Sequence, residues 1–582
     1  MKFDYDKLYR LAFWISFLGI IAFVIDFGFS QSPGVQRIIN AFYLIVLVIG
    51  LSSLVIRNLV RKMKLSSPVR VSDLFILIII LGVLYIHFIA EGVHHLHYIL
   101  YDDNWIKFAI ILIFIREFSE LNVHFKRTYL NPAQLFLVSF ISMIILGSFL
   151  LMLPKATHSG IGFLDALFTS TSAVCVTGLI VVDTGTYFTT FGQSVILFLI
   201  QIGGIGILTI TSYFSYFFKG GTTYENQLIL SDMTSSQKIG EVFSTLKHVI
   251  IITFGAEFLA AIAIYFSIAG QTWDSQTEHI FFSAFHAISA FCNAGFSTLS
   301  NSIYDEGFRF NYMFQLLLVM TFVIGGLGFP IMVNLKNFIK LKLGILLSSK
   351  KKVRIHRPWV LTLNSRITLI TTFSLTLIGF IIFYLLEFNN TLADHHSWGK
   401  MVSALFNAAT PRTAGFNNID MAQMHHSTIL MIILLMWIGA SPASTGGGIK
   451  TSTFAIATLN VLSLAKGKSD IEVFRRRISP ISVKRAFAII ALSFVVIGAG
   501  IWFVSIFEGD VPILSIIFEC VSAYSTVGLS LGITGGLTGL SKLVIIGIMF
   551  IGRVSMLTVM IAIFSKTRPM NYIYPTEEIT LN

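Results

Sequence analysis

Four short stretches, each closing on or just past a glycine, recur at nearly equal spacing along this chain. They constrain its fold more than any other feature. They read STSAVCVTGL (170–179), HAISAFCNAGF (286–296), AATPRTAGF (408–416) and SAYSTVGLS (522–530). The aligned glycines, Gly178, Gly295, Gly415 and Gly528, lie 117, 120 and 113 residues apart. Two further markers keep the register. Phe168, Phe285, Leu405 and Phe518 each stand ten residues before their glycine, and an Ile-Gly pair follows it at Ile202-Gly203, Ile324-Gly325, Ile438-Gly439 and Ile551-Gly552. Three aligned features in four copies identify an internal repeat, and a repeat sets the architecture before any chemistry is argued.

Each copy sits in a setting that water does not reach. Hydrophobic residues make up 55% of the chain and charged residues 12%, and the mean hydropathy is +0.80. Apolar runs of about 20 residues, the length that crosses a hydrocarbon core, recur throughout, as at 11–30, 38–56, 72–90, 133–153 and 544–565. The first run has no small-residue cleavage site behind it and reads as a retained helix, not a removed signal peptide. The residues before each repeat glycine are enough for a half-helix and too few to span a bilayer. The expected fold is therefore an all-α integral membrane protein. It holds four helix–pore-loop–helix units around a pseudo-fourfold pore, preceded by about four extra N-terminal transmembrane helices.

The net charge of +12 does not imply nucleic acid, because it sits in short loops between apolar runs without interleaved aromatics. Basic residues crowd 57–70, 336–366 and 466–485, whereas 91–104 and 417–428 carry no Lys or Arg. By the positive-inside rule the basic loops are cytoplasmic. Four spans followed by two per unit make twelve, so both termini fall on the cytoplasmic side. The divisions expected are N-terminal helices over 1–130, pore units over 131–220, 245–345, 360–465 and 480–568, and a cytoplasmic tail over 569–582.

A pore loop has a task that fits these residues. An ion leaving water must have its hydration oxygens replaced, and converging backbone carbonyls do this if the chain can turn them inward. Glycine permits the φ > 0 such turns require. A half-helix whose C-terminus faces the axis adds partial negative charge where a cation would sit. No Asp or Glu falls within the loops between Ser172 and Leu179, Ser289 and Phe296, Ala409 and Phe416, or Ser522 and Leu529. A carbonyl-lined site for a monovalent cation fits better than a carboxylate ring for a divalent one. The competing reading is that the glycines only terminate buried helices. Cys175, Cys292 and Cys520 have no metal-ligand spacing and read as packing residues. Gly203-Gly204-Ile205-Gly206 and Gly325-Gly326-Leu327-Gly328 lack the strand context of a nucleotide motif and read as close-packing positions between membrane helices.

These strings are similar to signatures of the Trk/Ktr/HKT superfamily of potassium transporters, in particular the bacterial Ktr-type and Trk-type membrane subunits. The resemblance covers about 130–580 and rests on MLPKAT (152–157), CVTGL (175–179), TPRTAGFN (410–417), IGASPASTGGGIKTSTF (438–454) and STVGLS (525–530). It implies potassium uptake across the inner (cytoplasmic) membrane through one pore per subunit, with no enzyme activity. The K+ filter would be Val176, Thr177, Gly178; Asn293, Ala294, Gly295; Thr413, Ala414, Gly415; and Thr526, Val527, Gly528. It implies a gate beneath the filter at Ala443, Ser444, Thr445, Gly446, Gly447 and Gly448, with Arg553 as an electrostatic barrier. It also implies a homodimer in the lipid bilayer on a cytoplasmic ring of nucleotide-binding regulatory subunits, and leaves Na+ open as an activator.

Ser555-Met556 departs from the family's Gly-Pro in the last helix, and the four N-terminal spans exceed its usual number. There, Arg116, Glu117 and Glu120 could pair with one another, and His94, His95 and His97 read as a wet loop cluster. A Na+- or H+-coupled symporter, for which Glu257 and Glu519 are the nearest buried carboxylates, and a non-conducting receptor or scaffold stand as alternatives.

Overall fold

The computed structural model describes residues 5–60, 68–88, 104–120, 132–206, 242–347 and 361–564. His94, His95, His97, both chain ends and 348–360 of one basic loop lie outside the described residues. The described residues are predominantly helical, as hydrocarbon demands of a chain that must satisfy its own backbone.

Four helices come first: Tyr5–Gly28, Pro33–Val60, Pro68–Phe88 and Asn104–Glu120. They enclose an apolar centre of Tyr43, Val46, Leu47, Ile80 and Ile110, and turn Trp14, Ile38, Leu59, Phe75 and Ile78 outward. Three of their ion pairs are buried or nearly so. Arg57 Nη2 meets Glu117 Oε2 at 2.7 Å, and Lys107 Nζ meets Asp26 Oδ2 at 3.0 Å. Of the expected pairing among Arg116, Glu117 and Glu120, the Glu120 side chain lies outside the described residues, and the part joining Arg116 to Glu117 is corrected: Arg116 binds Asp73 on the third helix, while Glu117 turns to Arg57 on the second. Neighbours in sequence point to different helix faces, so each charge finds its partner across the bundle. Breaking a buried pair on one side costs about 3–5 kcal/mol. Glu117→Ala is expected to lower the unfolding temperature in detergent, and Arg57→Met with Glu117→Leu to recover most of it; a thermal-shift assay reads both.

The bundle docks on the first repeat unit where Lys155 N donates to Gly28 O at 3.0 Å and Phe27 meets Phe191 with ring centroids 5.8 Å apart. That unit is Pro132–Leu151, the half-helix Phe163–Val174 and Thr190–Ile205. The second is Val242–Ser267, Gln276–Cys292, Tyr312–Gly326 and Phe329–Leu347. The third is Leu363–Glu387, Ser397–Ala409, His426–Trp437 and Thr451–Ala465, and the fourth Pro480–Phe507, Ile513–Ser525, Gly539–Val554 and Met556–Ile563. Each half-helix packs on the second helix of the preceding unit, and the first packs on Gly539–Val554 of the fourth, so the ring closes.

The continuity of the spans differs from expectation. Among the described residues five helices are long and apolar enough to cross a membrane alone, and two more do so only as bent pairs. Tyr312–Gly326 and the helix after it bend by 106°, and Gly539–Val554 and Met556–Ile563 by 89°. The breaks share a register, three residues past the Ile-Gly glycine, where Gly206, Gly328 and Ser555 have φ of 89°, 83° and 76°. A left-handed residue cannot continue a right-handed helix. The third unit breaks differently: its helix stops at Trp437, and 439–450 crosses beneath the half-helices as loop.

Candidate functional site

All four loops share one pattern of left-handed residues. The residue two before each glycine is left-handed, at Val176 (φ 56°), Asn293 (60°), Thr413 (74°) and Thr526 (49°). So is each glycine, at 90°, 70°, 80° and 92°, while the residue between is not. Left-handed φ is strained for the β-branched Val176, Thr413 and Thr526. Such strain persists only where the surroundings over-determine it, and it marks functional sites.

The half-helices hold that shape by taking the loop's donors. Thr177 N reaches Ser172 O at 2.7 Å, Ala294 N reaches Ser289 O at 2.8 Å, Ala414 N reaches Thr410 O at 2.9 Å, and Val527 N reaches Ser522 O at 2.9 Å. The carbonyls are left over: among the described residues, none of those from Val176 to Gly178, Asn293 to Gly295, Thr413 to Gly415 or Thr526 to Gly528 accepts a hydrogen bond. Buried backbone carbonyls are ordinarily paired, so their unpaired state in all four loops sets these residues apart.

The ring is tight. A Cβ on any of the four glycines would lie 3.0 Å or less from the carbonyl oxygen before the next glycine: Ala294 for Gly178, Ala414 for Gly295, Val527 for Gly415, Thr177 for Gly528. A cavity of about 480 Å³ in front of the loops touches all four glycines. Asp183 and Asp420 are the acidic residues in its wall, and no basic residue is among the described residues lining it. Such a wall attracts cations.

The symmetry is broken at the hydroxyls. In units one and four, Ser172 and Ser522 accept from Gly178 N (3.0 Å) and Gly528 N (3.1 Å). In units two and three, Ser289 and Thr410 donate instead to Phe296 O (2.7 Å) and Phe416 O (2.6 Å), past the glycine.

The segment 443–448 lies directly under this ring. Gly447 N donates to Thr526 Oγ1 at 2.9 Å, Thr445 Oγ1 donates to Phe291 O and Gly325 O at 3.3 Å, and Gly446 abuts Thr413. Ser444 bonds Ser441 O at 2.6 Å, and Ala443 O accepts from Phe329 N at 3.1 Å. Arg553 is held by Thr445 O and Gly203 O, which ties the loop to the fourth and first units. Lys450 Nζ donates to Gly446 O and, at 3.3 Å, to Gly447 O. The segment therefore touches the second, third and fourth units directly, and the first through Arg553.

A family model described as a cation transport protein, TrkH, matches residues 103–572. The chain belongs to the TrkH cation transport family. It is 36% identical over 452 residues to the Ktr system potassium uptake protein B of Bacillus subtilis, covering 77% of this chain and 96% of that one. It is 34% identical over 464 residues to the potassium/sodium uptake protein NtpJ of Enterococcus hirae, covering 78% and 98%. Its fold matches the potassium transporter TrkH of Vibrio parahaemolyticus with a TM-score of 0.60 at 18% identity, over 86% of this chain and 98% of that one. These TrkH-family relatives are transporters, not enzymes.

Within this TrkH-family fold the expected filter residues come together from four units, and the expected gate residues with Arg553 lie under them. Sequence reasoning passed over Lys450, although it stands inside the string IGASPASTGGGIKTSTF, where a buried charge is itself a functional signal. It also passed over Arg412, beside Thr413. Arg412 donates to Thr372 O at 3.0 Å and Gly439 O at 3.3 Å, joining the third loop to the start of the segment below. Glu257 is not part of the cavity wall; Gln201 Nε2 bonds both of its oxygens, at 3.1 and 3.0 Å. All three cysteines are free and buried.

Proposed function

We propose that this chain takes up potassium across the cytoplasmic membrane through a gated, K+-selective pore. The carrying observation is the ring of unpaired carbonyls on four left-handed glycine loops. K+ loses its hydration oxygens there to the carbonyls from Val176 to Gly178, Asn293 to Gly295, Thr413 to Gly415 and Thr526 to Gly528. The Bacillus and Enterococcus relatives, a potassium and a potassium/sodium uptake protein, support potassium as the ion, and the second leaves sodium open as a competitor or activator.

Below the filter, 443–448 acts as the gate, and Arg553 places positive charge where an ion leaving the filter would pass. Both termini face the cytoplasm. The chain works as a homodimer on a cytoplasmic ring of nucleotide-binding regulatory subunits. The exposed basic hairpin of Glu472–Val473 and Arg476–Arg477 offers that ring a surface.

Expression in a potassium-uptake-deficient host, with a Ktr-type regulatory subunit, is expected to restore growth at low external K+. Absence of rescue despite membrane insertion of both proteins would overturn the reading. Vesicle flux with Na+ varied independently separates the roles of sodium. An activator raises the rate without fixed stoichiometry, whereas strict stoichiometry with Na+ would establish a symporter.

A further inference from the structure

Two buried ionisable side chains beside the filter have no part in the pathway described so far. His286 and Glu519 occupy the same register, nine residues before Gly295 and Gly528, and both are fully buried. In the closed ring the second and fourth units face each other, so these side chains stand behind opposite walls.

Their partners match as well. His286 Nε2 meets Ser297 Oγ at 2.9 Å, and Ser297 stands two residues past Gly295. Glu519 Oε1 accepts from Thr534 Oγ1, and that hydroxyl meets Ser530 Oγ, two residues past Gly528, at 2.9 Å. Each serine also accepts from the backbone N–H two residues on, Leu299 N at 3.0 Å and Gly532 N at 3.0 Å. His286 Nδ1 faces Phe282 O at 2.9 Å, and a carbonyl only accepts. Nδ1 therefore carries the proton and Nε2 accepts from Ser297, so the neutral ring uses both nitrogens. The other two units lack an ionisable residue at this register, though the third ties its loop one residue later, where Asn407 Nδ2 donates to Asn418 Oδ1 at 2.7 Å, three residues past Gly415. At the same register Thr169 bonds only Asp165 O of its own helix, at 2.9 Å, and Phe406 has no polar atom.

Burying a polar side chain is unfavourable unless it is hydrogen-bonded, so two such residues at matched positions ask for a task. We propose that His286 and Glu519 are positioning residues for ion selection. Through Ser297 and through Thr534 with Ser530, they clamp the outer ends of two opposite filter loops and fix how far apart those carbonyls stand. A cation smaller than K+ is rejected when the carbonyls are kept from closing on it, and two braced walls across the axis limit that closure. The first wall follows through the ring of close contacts at the glycines, and the third through those contacts and its own Asn407–Asn418 bond.

This proposal rests on the loops being a K+ filter, and the unsubstituted chain's K+/Na+ flux ratio in reconstituted vesicles tests that first; an unsubstituted chain that does not discriminate fails that reading, not this one. Given discrimination, His286→Phe and Ser297→Ala are each expected to lower the ratio by roughly tenfold, the worth of about one hydrogen bond. The double substitution should fall no further than Ser297→Ala alone, since that change already removes the His286 bond along with the one from Leu299 N. Glu519→Leu should lower it similarly, and Glu519→Gln, which keeps an acceptor for Thr534, should largely retain it. Thr169→Val, at the same register in the first unit, should leave it unchanged. Where a variant assembles poorly, flux is normalised to folded protein and the Glu519→Gln and Glu519→Leu pair decides. An unchanged ratio in His286→Phe and Glu519→Leu, additive losses in the double variant, or an equal loss in Thr169→Val would overturn the proposal.

Discussion

Serine in place of Gly415 is expected to lower K+/Na+ discrimination by tenfold or more. Two effects act together. A non-glycine residue held left-handed costs about 1–2 kcal/mol, and the new Cβ would press on the Val527 carbonyl of the neighbouring loop. The loop must retreat, and a carbonyl moved outward favours K+ over water less. Gly178→Ser and Gly528→Ser face the same crowding against Ala294 O and Thr177 O. Gly295 has the most room, with its nearest carbonyl, that of Ala414, 3.0 Å from the built Cβ. Gly295→Ser should therefore be the mildest of the four. Ion-replacement flux in vesicles gives the order, and unchanged discrimination in Gly415→Ser would refute the filter assignment.

The second large effect is expected below the filter. Removing Gly446–Gly448 deletes the segment that bonds Thr526 and abuts Thr413 and Ser525. If this segment closes the pore, maximal K+ flux should rise several-fold and lose its dependence on the regulatory subunit. Arg553→Gln should act in the same direction more weakly, since it loosens Thr445 and leaves the glycines in place. Glycine disfavours helix by about 1 kcal/mol relative to alanine. Gly446→Ala with Gly447→Ala should accordingly change the rate if the loop must move, although both also meet steric contact with Thr413 and Thr526. Lower flux in the deletion, with the protein properly assembled, would make the segment a structural brace.

The repeat was legible in the sequence because each copy answers the same steric need. Gly178, Gly295, Gly415 and Gly528 are the residues that tolerate left-handed φ against a neighbour's carbonyl. The Ile-Gly pairs mark where a half-helix C-terminus meets a second helix. A Cβ on Gly203, Gly325 or Gly552 would strike Val174, Phe291 or Tyr524, each four residues before its filter glycine. In the third unit Gly439 faces Gly447 instead, so the same pair there accommodates the segment 443–448.

Other features had no local signature. The left-handed Val176, Thr413 and Thr526 run against their own propensities, and only the tertiary ring imposes that geometry. Ser555 breaks the last helix where the first two units use glycine, so composition alone gave no breaker. The pairing of Glu117 with Arg57 was hidden as well, because it joins helices 60 residues apart in sequence.

The hydroxyls that divide the four loops two and two have a consequence for how such a pore is tuned. In a tetramer of identical chains, one codon change alters all four sides of a coordination ring at once. Here Ser289 can be changed without touching Ser172, Thr410 or Ser522, so selectivity is open to quarter-steps. If the loops are the filter proposed above, inheritance and engineering alike can move it one wall at a time.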